Sequence, residues 1–515
     1  MLQYALRYLS VLLFVSMLPA CIDDSPGQFQ AETFTKLEKI RTNRKAIITS
    51  YLDRLREKSL AAKSDQFLVK FFSSFHRIGP KEKLNLVQFL SVSDALDRHY
   101  VDNYAEFYDI LFVNEAGLVF HSIKMEWDYG KNLFDGQLAK TKLARSLRTD
   151  PGIRFVDYDY YSPSKEPASF FVTQVQGKSG SMGWLVFQFS VNTVNSVLAD
   201  YEDLGVTGEV YLANEKKMML TQSRLVPVDT ILKKRVNTTA LKNALEGTKD
   251  SGNMVIEDYR GVRVFSSFEK FIFEGITWVI VAEIDEDEVV TDHYKGNKEY
   301  YLPRVIEMFS SGKKVPGRSL GGKEENLRVD INEYAKGGAK DTVATYGVAT
   351  CTGILVSYPK RFVYLGHINP LDEAYHSFFG KLWLNIVMKF KGNYFGEDAG
   401  DLLKGMLKRI KFYDIPPFEI RNLRAVTVAV HTESFEKIID KLIDAGFFLS
   451  QITVLYGPGS KYANIWGDVP TGASYMEWVA PDGFSSTWTT ADEVRDLGWM
   501  IQSLSGYSSD AAAAD

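Results

Sequence analysis

The residues best suited to chemistry lie in one stretch, TYGVATCTGILVSYPKRFVYLGH, which runs from Thr345 to His367. Cys351 and Cys21 are the two cysteines of the chain, and a thiol becomes a nucleophile when a neighbouring histidine accepts its proton. Apolar runs on both sides of a Pro-Lys dipeptide predict a hairpin, which would return His367 to the edge that holds Cys351. Thr345 lies close by on the preceding strand. A lone cysteine also packs well as a small buried hydrophobe, so the pattern leaves both roles open.

The other cysteine follows an N-terminal export signal. Residues 1–20 contain one early positive charge, Arg7, then an apolar run from Leu9 to Leu18, and they end in Pro-Ala before Cys21. This layout is typical of a secretory signal, and Leu-Pro-Ala-Cys resembles the bacterial lipobox, in which the cysteine is lipidated. An uncleaved anchor is the alternative, but the run is shorter than the roughly 20 residues that span a bilayer. We expect a lipid-anchored protein in the bacterial cell envelope, facing the periplasm.

Length and charge narrow the classes of function. A chain of 515 residues predicts two to four domains. The formal net charge of -5 argues against a nucleic-acid partner, because binding to phosphates needs clustered Lys and Arg. The partners we expect are a small-molecule ligand, a protein substrate and the membrane that holds the lipid anchor. No metal and no other cofactor is predicted.

Hydrophobic periodicity predicts sheet modules behind a long helix. After a short tether, residues 21–32, the segment 33–62 places apolar side chains at helical spacing, and a second helix is expected over 84–99. Alternating runs from Phe107 onward predict strands separated by Gly-containing or charged turns. A second series of predicted strands follows a helical stretch at 191–203, so two small α+β modules are expected.

Five successive segments of this region resemble the double Cache extracellular sensor domain of bacterial chemoreceptors and membrane-bound cyclases. They are YDILFVNEAGLVFHSIKMEWDYGKNL, FVDYDYYSPSKEPASFFVTQV, DLGVTGEVYLANEKKMMLTQSR, IEDYRGVRVFSSF and WVIVAEIDEDEV, in the order of that domain over residues 33–290. The resemblance implies two PAS-like Cache modules, a distal one over 68–190 and a proximal one over 200–290. In that family the distal module usually binds a small ligand.

Four polar residues are our candidates for the ligand site of the distal module: Lys124, Asp128, Asp157 and Tyr160. Charges of both signs in an apolar pocket would hold the ammonium and carboxylate groups of an amino acid, or a small carboxylate. The alternative is that these are solvated loop residues, because charged side chains are mostly exposed.

Residues 291–340 are rich in glycine and charge, and they are predicted as a linker with one short helix at 301–309. The chain then becomes apolar and β-rich again, which predicts a third α+β domain over 341–485 and a frayed tail, 486–515. The amphipathic helices expected in this domain are 372–390, 398–411 and 434–445.

The pattern T-x5-C-x14-GH resembles the CheD family of chemoreceptor glutamine deamidases, and the segment SKYANIWGDVPTG follows in that family's order within residues 341–480. The resemblance implies that Cys351 is the nucleophile, His367 the general base and Thr345 the third active-site group. Gly366 stands where that family often has Asn. Its known substrates are cytoplasmic receptor helices, so the resemblance does not supply a substrate for an exported chain.

The sequence therefore predicts an α+β protein with two PAS-like Cache modules behind a long N-terminal helix, followed by a separate α+β CheD-like domain. Its predicted function is an exported, lipid-anchored sensor with a cysteine amidohydrolase domain of the protein-glutamine deamidase type. The alternative is a non-catalytic signalling lipoprotein that binds a ligand or a partner protein.

Overall fold

The computed structural model describes residues 26–77, 86–177, 180–247, 249–308, 325–369, 393–395, 399–410, 415–430, 435–457, 459–481 and 485–489. The α-helices of this part of the chain are α1 Pro26–Ala61, α2 Gln66–Phe75, α3 Leu86–Asn103, α4 Lys142–Thr149, α5 Asn192–Leu198, α6 Thr239–Glu246, α7 Glu286–Tyr294, α8 Lys298–Val305, α9 Ala399–Ile410, α10 Pro417–Ile420 and α11 Phe435–Asp444.

The strands of the first two modules are β1 Asp109–Asn114, β2 Val119–Ser122, β3 Phe155–Tyr161, β4 Glu166–Gly177, β5 Gly180–Ser190, β6 Glu209–Asn214, β7 Ser251–Glu257, β8 Arg263–Phe273 and β9 Ile276–Asp285. The strands of the third unit are β10 Ile306–Met308, β11 Leu327–Val329, β12 Glu333–Gly337, β13 Thr342–Val348, β14 Thr352–Tyr358, β15 Phe362–Ile368, β16 Asn393–Phe395, β17 Arg424–Ala429, β18 Ile452–Tyr456, β19 Tyr462–Asp468, β20 Ala473–Val479 and β21 Ser485–Thr489.

The long predicted helix is present as α1 and begins earlier than expected, at Pro26. Proline is favoured in the first turn of a helix, because the N–H that it lacks has no partner there. Leu37, Ile48, Leu52 and Leu55 form the buried side of α1, which packs against β4 of the first module and against β8 and β9 of the second. The helix therefore holds both modules in one shared core.

The two modules have antiparallel sheets with different strand orders. The distal sheet has the order β2-β1-β5-β4-β3, and the proximal sheet has the order β6-β9-β8-β7. One face of each sheet contributes to the core shared with α1. The other face of the distal sheet forms a smaller core with α4, and the other face of the proximal sheet forms one with α6. The predicted fold class, α+β with two such modules behind a long N-terminal helix and a separate α+β domain after them, is confirmed.

The third unit has three layers. A sheet with the order β10-β18-β17-β14-β15-β12-β16, here called the central sheet, is covered on one face by α9 and α11. The second sheet, with the order β11-β13-β19-β20-β21, lies on its other face across an apolar layer. This layer is tight at Gly353, where an added Cβ would lie 2.1 Å from Ile465 Cδ1. A side chain at this position would push the two sheets apart.

Much of the predicted linker, 291–340, belongs to regular elements. It contains α8, β10, β11 and β12, and these strands join the sheets of the third unit. Strands of three to five residues leave little periodicity to detect, and they form here because β18, β13 and β15 supply their hydrogen-bond partners. Residues 309–324 lie outside the described part of the chain. β21 likewise extends the third unit into the predicted tail.

Buried polar contacts join the proximal module to the third unit. Asp285, at the end of β9, is fully buried. Its Oδ2 accepts a hydrogen bond from Nε of Arg421 at 2.7 Å and forms a salt bridge with Nη2 of the same residue at 2.6 Å. The Oγ1 of Thr291 in α7 accepts a hydrogen bond from the backbone N–H of Leu449 at 3.0 Å. The last strand of the proximal module and the helix that follows it therefore contact the third unit directly.

Some predictions concern residues outside the described ranges. These are the signal peptide, the lipidated Cys21, the helix 372–390 and most of the tail. Among the helices that the structure describes, none has the length and apolar composition needed to cross a bilayer.

Candidate functional site

Cys351 lies where the chain crosses from the second sheet to the central sheet. β13 ends at Val348 in one sheet, β14 begins at Thr352 in the other, and Cys351 is the last residue of the connection. The thiol is 7% exposed and borders the apolar layer between the sheets. A cysteine in this place has apolar neighbours on the inside and solvent near its outer side.

The predicted hairpin is confirmed, and it brings His367 to this layer. β14 and β15 are antiparallel, with Gly353 opposite His367. Cys351 lies in the bend just before β14 and belongs to the apolar cluster between the two sheets. His367 contacts Thr345 of the facing sheet across the same layer. The thiol and the imidazole therefore border one layer of the third unit.

Thr345 holds the imidazole from the opposite sheet. Its Oγ1 lies 2.8 Å from His367 Nδ1 and donates a hydrogen bond to the Val329 carbonyl oxygen at 2.7 Å. Because the hydroxyl proton goes to Val329, Oγ1 accepts from His367, and Nδ1 carries the imidazole proton. Nε2 is then left with a free lone pair. Among the described residues this buried atom has no hydrogen-bond partner.

Burial sets the charge of both groups. Desolvation raises the pKa of the Cys351 thiol, against a hydrogen bond from Thr350 that lowers it. Desolvation lowers the pKa of His367 to about 4, and the charge of Asp330 opposes this shift. At neutral pH the pair therefore consists of a thiol and a neutral imidazole. Such a cysteine needs a base at the moment of attack, and the free Nε2 is a proton acceptor of the right kind.

A second polar cluster lies in the distal module, on the face of the distal sheet that turns away from α1. Asp109 begins β1 and is opposite Gln188 of β5. Asp109 accepts hydrogen bonds from Ser122 Oγ at 2.7 Å and from the backbone N–H of Lys124 at 3.1 Å. Burial raises the pKa of Asp109 to about 6, against these hydrogen bonds. The carboxylate is fully buried and has only neutral donors.

Further carboxylates surround Asp109. Asp128 is fully buried and accepts a hydrogen bond from Tyr161 Oη at 2.7 Å, while Glu126 accepts one from Tyr108 Oη at 2.7 Å. Burial and the charge of Glu126 raise the pKa of Asp128, although its hydrogen bond with Tyr161 lowers it. Several buried oxygens of this cluster have no partner among the described residues: Asp128 Oδ1, Glu126 Oε2, Glu166 Oε1 and Gln188 Oε1. The cluster therefore offers acceptors to a ligand that supplies donors and positive charge.

The four predicted ligand residues have different surroundings. Asp128 belongs to the buried cluster, and Lys124 lies beside it with Nζ 5.5 Å from the centre of the Tyr108 ring. Asp157 accepts hydrogen bonds from Lys142 Nζ and Trp278 Nε1, each at 2.8 Å, so it joins the distal module to the proximal sheet. Tyr160 is 56% exposed. The structure brings two of the four together.

Asp109 and Gln188 were not among the predicted site residues. Each is a polar residue inside an otherwise apolar strand, which is an available signal because buried polar groups need partners. That the two residues lie opposite each other could not be predicted from the sequence, because β1 and β5 are far apart in the chain and only the structure shows that they pair. Among the described residues no group of three or more His, Cys, Asp or Glu is arranged to hold a metal ion.

The chain is similar to several solved sensor domains. One is the ligand-binding domain of the Pseudomonas aeruginosa amino acid chemoreceptor PctC in complex with GABA, at 15% identity and a TM-score of 0.34, covering 49% of this chain and all of that one. The sensor domain of the V. cholerae histidine kinase DctB aligns at 10% identity and a TM-score of 0.35, covering 50% of this chain and 99% of that one.

The ligand-binding domain of the P. aeruginosa chemoreceptor PctB, solved with L-arginine, aligns at 14% identity and a TM-score of 0.28, covering 46% of this chain and 95% of that one. No protein-family profile matches the chain, and no curated protein matches it. At such low identities and TM-scores, the function of this chain has to be inferred from its own side chains.

Proposed function

We propose that this protein is an exported, lipid-anchored sensor whose third unit is a CheD-like cysteine amidohydrolase of the protein-glutamine deamidase type. The observation that carries this proposal is the contact between Thr345 and His367, which leaves Nε2 of a neutral, buried imidazole free in the third unit, where Cys351 borders the layer between the same two sheets. The contact fixes the tautomer in which Nε2 can accept a proton.

The reaction follows from these three side chains. His367 Nε2 takes the proton of the Cys351 thiol as the sulfur attacks the carbonyl carbon of a glutamine carboxamide. The tetrahedral intermediate then collapses: the carbon–nitrogen bond breaks, the imidazolium returns the proton to the nitrogen, and ammonia leaves. Water, deprotonated by Nε2, hydrolyses the thioester to a glutamate and regenerates the thiol. Thr345 Oγ1 accepts the hydrogen bond from Nδ1–H throughout and keeps the imidazole in orientation.

The distal cluster fits a small ligand with a cationic group, such as the ammonium of an amino acid. Its four carboxyl groups lie near Lys124 and form no ion pair among the described residues, and several of their oxygens face no donor there. Binding there would be transmitted through the core shared with α1 to β9 and then to the contact of Asp285 with Arg421. We infer that the ligand controls access to Cys351.

Alkylation of Cys351 by iodoacetamide, measured by mass spectrometry at neutral pH, tests the catalytic part. We expect the rate to fall about tenfold or more in His367→Ala and in Thr345→Val, because the thiol loses its proton acceptor or the acceptor loses its orientation. Thr427→Val is the matched control, since Thr427 lies on β17 with its side chain on the other face of the central sheet. The control should alkylate like the wild type.

The opposite result would favour the non-catalytic alternative. If Cys351 reacts no faster than an ordinary thiol and neither variant changes the rate, the third unit binds a partner without catalysis. Thermal unfolding of each variant shows whether a loss of reactivity comes from a loss of fold. The anchor is tested separately: mass spectrometry of the mature protein should find an acylated N-terminal Cys21, and an unmodified or longer N-terminus would exclude it.

A further inference from the structure

The proximal sheet has a row of polar side chains on the face that turns away from α1. Glu209 of β6 lies opposite Glu283 of β9, and Glu283 lies opposite Ser266 of β8. All three are at most 2% exposed. Their neighbours on this face are apolar, among them Val281 and Phe268. Two carboxyl groups are thus buried side by side in an apolar core, where an unpaired charge is costly.

Two guanidinium groups near this row are paired with aspartates. Arg260 donates from Nε to Asp258 Oδ2 at 2.5 Å and from Nη2 to Asp285 Oδ1 at 2.6 Å. Arg421 donates from Nε to the other oxygen of Asp285 at 2.7 Å, and its Nη2 lies 2.6 Å from the same oxygen. Among the described residues, neither Glu209 nor Glu283 forms a salt bridge, although the charge of Arg260 acts on both.

Glu209 and Glu283 accept hydrogen bonds from neutral hydroxyl groups. Ser223 Oγ donates to Glu209 Oε2 at 2.7 Å, and Tyr259 Oη donates to Oε1. Tyr259 lies in the turn between β7 and β8 and is only half-buried, so it covers the pair on the side nearer to solvent. Ser266 Oγ donates to Glu283 Oε1 at 2.8 Å.

Two buried polar atoms next to this pair have no hydrogen-bond partner among the described residues. One is Glu283 Oε2 and the other is Tyr211 Oη. Tyr211 is fully buried, and it follows Glu209 by two residues on β6, so its ring leaves the sheet on the same face. A carboxyl oxygen and a phenol oxygen therefore both face this core without a partner among the described residues, although such groups are almost always satisfied in folded proteins.

We propose that the proximal module binds a small organic cation, an ammonium or guanidinium group, which donates to Glu283 Oε2 and Tyr211 Oη and is neutralised by the Glu209–Glu283 pair. Directional N–H donors suit two isolated oxygens better than a metal ion does, because a metal needs several close ligands. This site is separate from the distal cluster, which lies in the other module.

The position of the site also connects it to the third unit. Asp285 follows Glu283 by two residues on the same strand, and it is the residue that Arg260 and Arg421 both contact. A cation at the glutamate pair would change the electrostatic surroundings of Arg260 and so of this ion-pair network. The proximal module would thus bind a second ligand close to its contact with the third unit.

Hydrogen exchange of the full-length protein, with and without ethylammonium chloride or butane-1,4-diamine dihydrochloride, tests the site. The protein should be the Asp128→Asn variant, so that the distal cluster contributes less to binding. We expect the amines to slow exchange in the peptides of β6 and β9 and in the turn 258–262. Tetramethylammonium chloride, which has no N–H donor, and sodium chloride at equal ionic strength should have no such effect.

Two further variants in the same background decide the assignment. Glu283→Gln keeps the shape of the side chain and prevents it from ionising to balance the bound cation, and we expect the midpoint concentration of the amine effect to rise at least tenfold. Tyr211→Phe should raise it several-fold, whereas Tyr158→Phe, which removes another buried phenol oxygen on the α1 side of the distal sheet, should not. The proposal is overturned if no amine protects these peptides, if protection persists unchanged in Glu283→Gln, or if the control salts protect equally. None of these outcomes depends on the reactivity of Cys351.

Discussion

The replacement Glu283→Gln should change how the stability of the proximal module depends on pH. Burial, together with the charges of Asp258 and Glu209, raises the pKa of Glu283 from 4.5 to about 8 in the folded protein, despite the hydrogen bond from Ser266 and the charge of Arg260. Between these two values the folded state keeps a proton that the unfolded state has released. The folded state binds more protons, so its stability falls as the pH rises through this window.

The size of the effect follows from the width of the window. Each pKa unit corresponds to about 1.4 kcal/mol, so a shift from 4.5 to about 8 costs at most about 5 kcal/mol once the pH exceeds the upper value. At pH 7 about 3 kcal/mol of this cost is already present. Glutamine has no proton to lose, and the variant lacks this slope. We therefore expect the free energy of unfolding of the variant, relative to the wild type, to rise steadily from pH 5 to pH 8 and then level off.

The measurement is hydrogen exchange of the full-length protein from pH 5 to pH 9, read on peptides of β6, β8 and β9 after correction for intrinsic exchange rates. These strands surround Glu283, so their opening free energy reports the stability of the proximal core. Glu57→Gln, at an exposed position on α1, is the matched control and should leave the pH dependence unchanged. A difference between Glu283→Gln and wild type that stays constant from pH 5 to pH 9 would refute the reasoning.

Three other predictions concern different contacts. Arg421→Ala should weaken the attachment of the third unit to the proximal module by about 2 kcal/mol, the low end for a buried charge pair, because Arg421 is 29% exposed and Asp285 keeps Arg260. Calorimetry should then show the melting transitions of the proximal module and the third unit moving apart. The control Arg361→Ala, which removes an exposed ion pair, should not separate them. Asp157→Leu should cost about 1–3 kcal/mol, since it leaves the Trp278 indole N–H without an acceptor, and Asp157→Asn should cost less in a thermal melt. In the Glu283→Gln background, which removes the other proposed site, ethylammonium should bind to the distal cluster more weakly below pH 6, because Asp109 then takes up a proton. An affinity for ethylammonium that calorimetry finds to be independent of pH would contradict this.

The secondary structure of the first two modules was largely predictable, because the sequence patterns that indicate it are local. A long amphipathic stripe predicted α1, and alternating apolar runs separated by glycine predicted the strands around it. The short strands β10, β11 and β12 were not predicted, since three to five residues leave little periodic signal and their pairing partners lie far away in sequence. Their place in the third unit depends on long-range hydrogen bonds alone.

The polar sites show the same division between local and distant information. The hairpin from Thr352 to Ile368 follows from its own residues, and with it the place of His367 opposite Gly353, two residues after Cys351. The hydrogen bond from His367 to Thr345 joins two different sheets. It could not be predicted, because no local sequence pattern indicates that β13 and β15 belong to different layers. The same holds for Asp157, which was predicted for a ligand but contacts Trp278 of the other module.

The sequence by itself determined which residue types are available for chemistry and which segments form helices and strands, because periodicity and turn residues act over short distances. Only the tertiary structure decided which polar groups are buried together and which of them are satisfied. Burial and hydrogen-bond partners come from segments far apart in the chain. The charges of Glu283, Asp109 and His367 therefore depend on the packing around them, and so do the functions proposed for them.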